Sequence, residues 1–192
     1  SAFSHELMRG LKRQNVWVME QASGPGGWHL IPANTEPGRM RLWAFQTIAR
    51  GCDQVSFFRW RTNRYGTEQY WHGVLDHHGE PRRRYEELKQ FAGDLETFSG
   101  ELDGSTVPAD CALIFDYDTL WSLEIQPQAP KDFDYRTMAE RFTAVLARRG
   151  LPVDLISSRA DFAGYSLIIA PSLHICPPEL ARRLERYVEG GG

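Results

Sequence analysis

The first hundred residues alternate between short apolar segments and segments with helical periodicity. Residues 15–20 and 53–60 (NVWVME and DQVSFFRW) have the composition of buried strands, whereas residues 38–50 and 82–98 carry apolar side chains at the spacing of amphipathic helices. Because a helix between two strands brings the chain back to the same end of a sheet, this order predicts parallel strands joined by crossover helices. The first half of the chain is therefore predicted to be α/β.

A second α/β segment follows residues 100–110 (GELDGSTVPAD), which have the composition of a linker. Beyond the linker, strands are predicted at 111–117, 152–156 and 165–172, and helices at 133–150 and 177–190. We therefore predict two domains, residues 1–104 and residues 105–192. The second is expected to have a flavodoxin-like α/β fold.

Charge and composition argue against several classes of protein. A net charge of −3 with a single basic run, Arg82–Arg84, does not support a nucleic-acid partner. No apolar run approaches the ~20 residues that a membrane-spanning helix needs, so no membrane partner is expected. Cys52, Cys111 and Cys176 are widely separated, which supports neither a disulfide framework nor a zinc site and favours a reducing, cytoplasmic compartment.

A glutamate ends the first predicted strand, where a Gly/Pro-rich loop begins. Alternation along the strand predicts that Val16, Val18 and Glu20 share one face and that Trp17 and Met19 share the other, which would pack under helices if the strand belongs to a (β/α)8 barrel. If the strand belongs to a (β/α)8 barrel, Glu20 emerges inside the mouth at the carboxyl ends of the strands, where such barrels hold their catalytic groups. From the spacing alone, an N-cap or a loop salt bridge is an equally good interpretation.

Three segments of the first hundred residues resemble the end of the catalytic barrel of glycoside hydrolase family 42 β-galactosidases. In order, they are WVMEQASGPGGW, PGRMRLWAFQTIARGCDQVSFFRWR and TEQYWHGVLDHHGEPRRRYEE. Residues 109–192, with LIFDYDTLWSLEIQPQ and YSLIIAPSL, resemble the trimerisation domain of that family. The resemblance implies the C-terminal part of a TIM (β/α)8 barrel, followed by a flavodoxin-like, glutamine-amidotransferase-like α/β domain, in a homotrimeric enzyme.

The resemblance also implies a retaining mechanism with two carboxyl groups about 5–5.5 Å apart. The glutamate of the VMEQ motif is the family's nucleophile, and Glu20 occupies that position. The family's acid/base glutamate lies in an Asn-Glu pair on an earlier strand, but Asn15, Asn34 and Asn63 are followed by Val, Thr and Arg. We therefore expect this chain to be an internal part of a longer enzyme and to be inactive alone.

Further residues are implied to hold the sugar. Trp28, in the loop after the nucleophile, matches a tryptophan that forms a wall of the sugar subsite, and Phe58 matches an aromatic residue at the pocket. Glu68 matches a glutamate that accepts hydrogen bonds from galactose hydroxyls. His72 is assigned to a family histidine by residue type, although strict E-x-x-H spacing selects Trp71. Loop anchoring is the alternative for Trp28, and core packing is the alternative for Phe58.

Other polar residues of this region are given structural roles. Arg59 and Arg61 are expected to brace loops by pairing with carboxylates. Asp76, His77 and His78 could suggest a metal site, but their segment, DHHGEPRR, is typical of a turn before a helix. No metal and no cofactor are therefore expected, and the zinc-binding cysteine cluster of some family members lies outside this sequence.

The expected partners are a galactoside substrate and further copies of the chain in a homotrimer. Two alternatives remain open. One is another retaining glycosidase of the same barrel clan, such as an α-L-arabinosidase, in which Glu20 keeps its role. The other is a non-catalytic oligomerisation module.

Overall fold

The chain folds into two compact units whose residues do not follow one another in sequence. The computed structural model describes residues 2–27, 33–126 and 130–192. One unit comprises residues 15–106, and residues 2–14 belong to the other unit together with 107–192. The elements in chain order are α1 (Ala2–Gly10), β1 (Val16–Ala22), α2 (Arg39–Ile48), β2 (Cys52–Phe58), α3 (Arg83–Leu102), β3 (Cys111–Ile114), α4 (Tyr117–Ile125), α5 (Tyr135–Arg148), β4 (Val153–Ile156), β5 (Leu167–Ile169) and α6 (Pro178–Glu189).

The unit of residues 15–106 contains a parallel pair of strands, β1 and β2, connected by α2 and followed by α3. Phe45 of α2 meets Phe91 of α3 edge to face, with ring centroids 5.1 Å apart. Phe57 of β2 meets the same ring at 6.3 Å. One aromatic side chain of α3 therefore packs both on the crossover helix and on the sheet, and the predicted order of strands and helices is confirmed.

β1 does not alternate regularly along its length. Val18 pairs with Val55 and Gln21 pairs with Phe57, so three steps along β1 match two steps along β2. One strand then carries one residue more than its partner, as in a β-bulge. The extra residue falls in the stretch Met19–Glu20, beside the predicted nucleophile.

The two predicted faces of β1 are distinguished by burial as far as Met19, and the irregular register affects the residues after it. Trp17 and Met19 are 63% and 67% exposed, whereas Val16 and Val18 are half-buried. In this chain, which holds two strands of the sheet, Trp17 and Met19 are not covered by a helix, and the side of the two valines is the more covered one. The alternation of half-buried and exposed residues holds from Val16 to Met19 and breaks at Glu20, within the stretch where the pairing register shifts after Val18. Glu20 consequently does not have to share the face of Val18.

The other unit is built on a three-stranded parallel sheet with the order β4-β3-β5. Every residue of the central strand β3 is buried, as expected for a parallel strand covered on both faces. Leu113 belongs to an apolar cluster with Ala139 of α5, and its neighbour Ile114 belongs to a second cluster with Leu180 of α6. Successive residues of one strand thus supply two cores, one on each face of the sheet.

A helix that the sequence analysis did not predict follows this central strand. The strand predicted at 111–117 ends at Ile114, and α4 begins at Tyr117. The carboxylate of Asp116 accepts a hydrogen bond from the backbone N–H of Asp118 at 2.8 Å and so caps the helix. An aspartate at the end of an apolar strand was the signal that could have revealed this helix.

α1 packs within the second unit, whereas the predicted domain boundary assigned it to residues 1–104. Phe3 and Leu7 belong to the same apolar cluster as the central sheet of the second unit. At Gly10 the helix backbone comes so close to β4 that a Cβ atom there would lie 2.2 Å from the carbonyl oxygen of Leu155. Only glycine permits this approach.

A buried ionic network joins α1 to β4. Arg9 is 3% exposed and donates to Glu6 Oε2 at 2.7 Å, to Asp154 Oδ1 at 3.1 Å and to the carbonyl oxygen of Val153 at 2.8 Å. The Tyr165 hydroxyl donates to the second carboxylate oxygen of Asp154 at 2.9 Å. Burial, together with this hydrogen bond and the negative charge of Asp154, raises the pKa of the Tyr165 hydroxyl. The guanidinium thus compensates two buried carboxylates.

Arg9→Met is expected to lower the free energy of unfolding by about 3–5 kcal/mol, because it removes the buried guanidinium that pairs with Asp154 and leaves that carboxylate uncompensated. Arg182→Met is the matched control, since Arg182 pairs with Glu179 on the exposed surface of α6. The control is expected to leave stability nearly unchanged. Urea denaturation followed by circular dichroism measures both variants, and equal losses would contradict the role given to Arg9.

Candidate functional site

The segments that leave β1 and β2 meet at the carboxyl ends of these two strands. The backbone N–H of Ser23 donates to the carbonyl oxygen of Phe58 at 3.1 Å, and the N–H of His72 donates to the carbonyl oxygen of Pro25 at 2.8 Å. Ser23 lies three residues after Glu20. The structure therefore brings the backbones of Phe58 and His72 to the loop that follows Glu20.

Ser23 holds this junction from inside. It is 0% exposed, and its hydroxyl oxygen lies 2.7 Å from the carbonyl oxygen of Phe58 and 3.2 Å from that of Arg59. A buried hydroxyl needs an acceptor, and these carbonyl groups supply it. Ser23 fixes the end of β2 to the start of the loop after β1. In the sequence, it cannot be distinguished from an ordinary loop serine.

The loop after β2, residues 59–76, folds back on itself. The backbone N–H groups of Val74 and Leu75 donate to the carbonyl oxygens of Arg59 and Trp60 at 2.7 and 2.8 Å. These bonds pair the first residues of the loop with its last residues and so close its base. The outer part of the loop lies between these two paired backbone segments.

Arg84 of α3 anchors the returning segment of this loop. It is 9% exposed, its Nε donates to the carbonyl oxygen of Gly73 at 2.9 Å, and its Nη2 pairs with the carboxylate of Asp76. At Gly73 the backbone lies so close to Arg59 that a Cβ atom would be 2.6 Å from the Arg59 carbonyl oxygen. The position accepts only glycine, and the loop that carries Glu68 therefore rises from a rigid base.

Glu20 is exposed near the carboxyl end of β1, where the sequence placed it. Ala22, two residues further on, pairs with Phe58 at the end of β2. A carboxylate at such a position can act as a nucleophile, as a general base or as a hydrogen-bond acceptor. The loop after β2 supplies the neighbouring polar and aromatic side chains, which are described next.

Glu68 forms an ion pair with Arg59, which gives Arg59 the carboxylate partner that the sequence analysis expected. Glu68 Oε2 accepts from Nη2 of Arg59, and the Glu68 side chain remains 44% exposed. The guanidinium carbon of Arg59 also lies 4.5 Å from the centroid of the Phe58 ring. Phe58 and Glu68, two predicted site residues, are thus joined by Arg59, which was not among the predicted site residues.

Trp71 joins this group from the outer part of the loop. Its ring meets Phe58 edge to face, with centroids 6.0 Å apart and an interplanar angle of 89°. Its ring also lies against the loop after β1, because a Cβ atom on Gly26 would be 3.1 Å from Trp71 Cε3. Trp71 is the residue that strict E-x-x-H spacing selects.

His72 lies on the anchored side of the loop. Its ring meets that of His77 edge to face at 5.2 Å. Burial, followed by the charges of Arg84 and His77, lowers the pKa of the His72 imidazole. At neutral pH the ring is therefore uncharged and can donate or accept one hydrogen bond. Trp28, the remaining predicted site residue, lies outside the described residues.

Two further kinds of feature are absent from the described residues. In the described ranges, 2–27, 33–126 and 130–192, no group of three or more His, Cys, Asp or Glu side chains is placed to hold a metal ion. Within the same part of the chain, no helix combines the length and apolar character needed to cross a membrane.

Two family models match the chain in succession. The glycoside hydrolase 42 model, described as "Beta-galactosidase", matches residues 1–98. This chain belongs to glycoside hydrolase family 42. A second model, described as "Beta-galactosidase trimerisation domain", matches residues 109–192. Both halves of the predicted family resemblance are confirmed.

Relatives of this family 42 chain are considerably longer than 192 residues. The chain is 40% identical to "Beta-galactosidase Bga" of Halorubrum lacusprofundi over 98% of its own length and 26% of that protein. It is 38% identical to "Beta-galactosidase BgaH" of Haloferax lucentense over 100% of its length and 28% of that protein. The solved structure of the Halorubrum lacusprofundi enzyme superimposes with a TM-score of 0.91 and 40% identity, covering 100% of this chain and 28% of that one. The chain thus spans 26–28% of these relatives.

The two α/β sheets of the chain can be related to the two matched family 42 models. The matched models correspond to part of a TIM barrel and to a trimerisation domain. The strand pair β1-β2, which carries Glu20, falls within the first match, and the three-stranded sheet falls within the second.

Proposed function

We propose that residues 15–106 supply the nucleophile side of the active site of a retaining β-galactosidase. The observation that carries this proposal is the position of Glu20, exposed at the end of β1 next to the junction with Phe58 and the loop of Glu68. Relatives with 38–40% identity are named β-galactosidases, which supports the choice of substrate class.

In this mechanism the ionised carboxylate of Glu20 attacks the anomeric carbon of a terminal β-galactosyl group. An ester bond forms between Glu20 and the sugar, while the bond from the anomeric carbon to the leaving oxygen breaks. A second carboxyl group protonates the leaving oxygen and then removes a proton from the water that hydrolyses the ester. Two displacements on opposite faces return the product to the β configuration.

The second carboxyl group is proposed to lie outside these 192 residues. The sequence contains no Asn-Glu pair, and the chain spans only 26–28% of its named relatives. A retaining enzyme needs its two carboxyl groups about 5–5.5 Å apart. The remainder of the enzyme is therefore proposed to place a proton donor at that distance from Glu20.

The loop after β2 is proposed to bind the sugar. Glu68 can accept hydrogen bonds from galactose hydroxyls through the carboxylate oxygen that Arg59 does not hold. Phe58 is proposed to line the pocket, where its contact with Trp71 fixes its ring. Trp28 as a wall of the subsite and His72 as a neutral hydrogen-bonding group remain proposals from the family resemblance.

Residues 107–192 are proposed to serve assembly rather than catalysis. The family description of this segment supports a homotrimer. The parallel order β4-β3-β5 corresponds to 2-1-3, the order that opens a flavodoxin-like sheet, and so supports the predicted fold of this domain. A cytoplasmic location remains a prediction from cysteine usage.

Substrate choice and stereochemistry test the catalytic proposal in the protein expressed from its complete reading frame. We expect kcat/KM for a nitrophenyl β-D-galactoside to exceed that for the α-L-arabinoside by about 10-fold or more, since hydroxyl recognition separates such substrates. Proton NMR of the first product is expected to show β-galactose. First-formed α-galactose would overturn retention, and preferential arabinoside hydrolysis would favour the clan alternative. No hydrolysis of either would favour the oligomerisation module.

The 192-residue chain by itself is expected to release no nitrophenol from the same galactoside. It lacks the proposed proton donor, and general acid catalysis alone contributes about 10²–10⁴-fold. Absorbance at micromolar protein over hours measures this. Turnover that disappears in the Glu20→Gln variant of the same chain would show that these 192 residues form a competent site by themselves, and would contradict the expected inactivity.

A further inference from the structure

Arg59 is the residue through which the predicted sugar-binding groups touch one another. It follows Phe58 directly at the end of β2, its Nη2 donates to Glu68 Oε2, and its guanidinium carbon lies 4.5 Å from the Phe58 ring centroid. We propose that Arg59 is a positioning residue that holds the Glu68 carboxylate and the Phe58 ring in one fixed arrangement for galactose. The inference rests on the function proposed above and deepens it.

The ion pair differs from an ordinary surface salt bridge in its burial. The Arg59 side chain is only 20% exposed, and its Nη1 is buried without a hydrogen-bond partner among the described residues. A guanidinium with so little access to water is costly unless an anion neutralises it, and Glu68 is that anion. The pair is therefore expected to persist, although exposed ion pairs of the same length often do not.

The guanidinium also starts from a fixed backbone. The carbonyl oxygen of Arg59 accepts from the N–H of Val74 at 2.7 Å and lies 3.2 Å from the Ser23 hydroxyl oxygen. The guanidinium carbon lies over the Phe58 ring. With its backbone and its guanidinium group both held, Arg59 can transmit a defined position to Glu68, which lies in a turn of the loop.

The consequence for binding is a preorganised acceptor. One Glu68 oxygen is taken by Arg59, which leaves the other free to receive sugar hydroxyl groups. A carboxylate that is already oriented loses less rotational freedom when the sugar arrives. Because galactose differs from its epimers only in the direction of a hydroxyl, the orientation of this oxygen is expected to affect discrimination as well as affinity.

Lysine is a poor substitute in this role. An ammonium group can satisfy the charge of Glu68, but it lacks the planar fork that stacks on Phe58 while donating sideways. Arg64 provides a matched control, since it belongs to the same loop, is exposed, and donates its Nε to the carbonyl oxygen of His77 at 3.2 Å. Removing its charge changes the loop's net charge by the same amount.

The test uses Arg59→Met, Arg59→Lys and Arg64→Met in the protein expressed from its complete reading frame. We expect Arg59→Met to lower kcat/KM for nitrophenyl β-galactoside about 10- to 100-fold, the range of a lost charge-assisted hydrogen bond. KM should rise more than kcat falls, and the preference over the β-glucoside should drop. Arg59→Lys should recover part of the loss, and Arg64→Met should stay within about twofold of the unchanged protein, as for a surface substitution.

A double-mutant cycle separates positioning from general damage. If Arg59 acts through Glu68, Arg59→Met combined with Glu68→Gln should be little worse than Glu68→Gln alone. Losses that multiply in full, or an Arg59→Met effect within twofold, would overturn the inference. Labelling by a 2-deoxy-2-fluorogalactoside counts the competent active sites in each preparation. If Arg59→Met does not fold, Arg59→Lys replaces it in the cycle, and a kcat/KM for Arg59→Lys equal to that of the unsubstituted protein would overturn the inference. If the protein without substitutions neither hydrolyses the galactoside nor is labelled by the fluorogalactoside, the proposed function itself would be refuted.

Discussion

Glu20→Gln is expected to lower kcat for β-galactoside hydrolysis by on the order of 10⁴-fold, as removal of a catalytic nucleophile does in other enzymes. The amide has nearly the same shape as the carboxylate but cannot form the glycosyl ester. Because Glu20 is exposed at the end of β1, the substitution disturbs no buried contact. Steady-state assays of the protein expressed from its complete reading frame measure the loss.

Glu36→Gln is the matched control for this prediction. Glu36 is an exposed glutamate of the same unit. It precedes α2 and pairs with Arg39, the first residue of that helix. The control is expected to keep nearly full activity. A Glu20→Gln protein that keeps a tenth of the activity or more would remove Glu20 from the nucleophile role.

Azide rescue of Glu20→Gly gives a second, independent readout of the same role. The substrate for this test is a dinitrophenyl β-galactoside. With the carboxylate absent, azide can enter on the face that Glu20 occupied, attack the anomeric carbon and expel dinitrophenolate. The product expected is α-galactosyl azide, identified by its anomeric proton coupling. Rescue that yields only the β-azide, or none while substrate still binds, would place the nucleophile elsewhere.

Glu68→Gln is expected to have the second largest effect, about 100-fold in kcat/KM for the galactoside. A neutral amide oxygen is a weaker acceptor, and hydrogen bonds to a charged group are worth about 1.5–3 kcal/mol each. The variant also loses the charge that pairs with Arg59. The preference for β-galactoside over β-glucoside should fall together with kcat/KM.

Glu80→Gln controls for the removal of a charge near this loop, since Glu80 is exposed four residues after Asp76. It is expected to change neither kcat/KM nor the galactoside-to-glucoside ratio. If Glu68→Gln lowers both activities by the same factor, Glu68 supports the loop without reading the sugar, and its substrate-binding role is wrong.

The candidate site shows where local patterns suffice. The strand of Glu20 and the strand of Phe58 each carry their own apolar signal, so their carboxyl ends could be located before any tertiary contact was known. The same holds for α3, predicted at 82–98 and found at Arg83–Leu102. The helix α4 was missed because its signal is a single capping aspartate, Asp116.

Long-range contacts account for the residue pairings that could not be assigned from the sequence. Arg59 and Glu68 are nine residues apart, and only the fold-back of the loop brings them together. Ser23 is 35 residues from Phe58 and acquires its role when two strand ends meet. No periodic pattern in the sequence predicts either of these pairings.

The sequence by itself determined the order of strands and helices apart from α4, the family and the carboxylate at the end of β1, because each depends on periodicity or on motifs within a short segment. Only the tertiary structure decided that β1 carries an extra residue at Met19–Glu20, that α1 packs on β4, and that Arg59 links Phe58 to Glu68. Those outcomes depend on which distant backbones come close enough to hydrogen-bond and on which side chains then lose their water. Local propensity does not specify such choices.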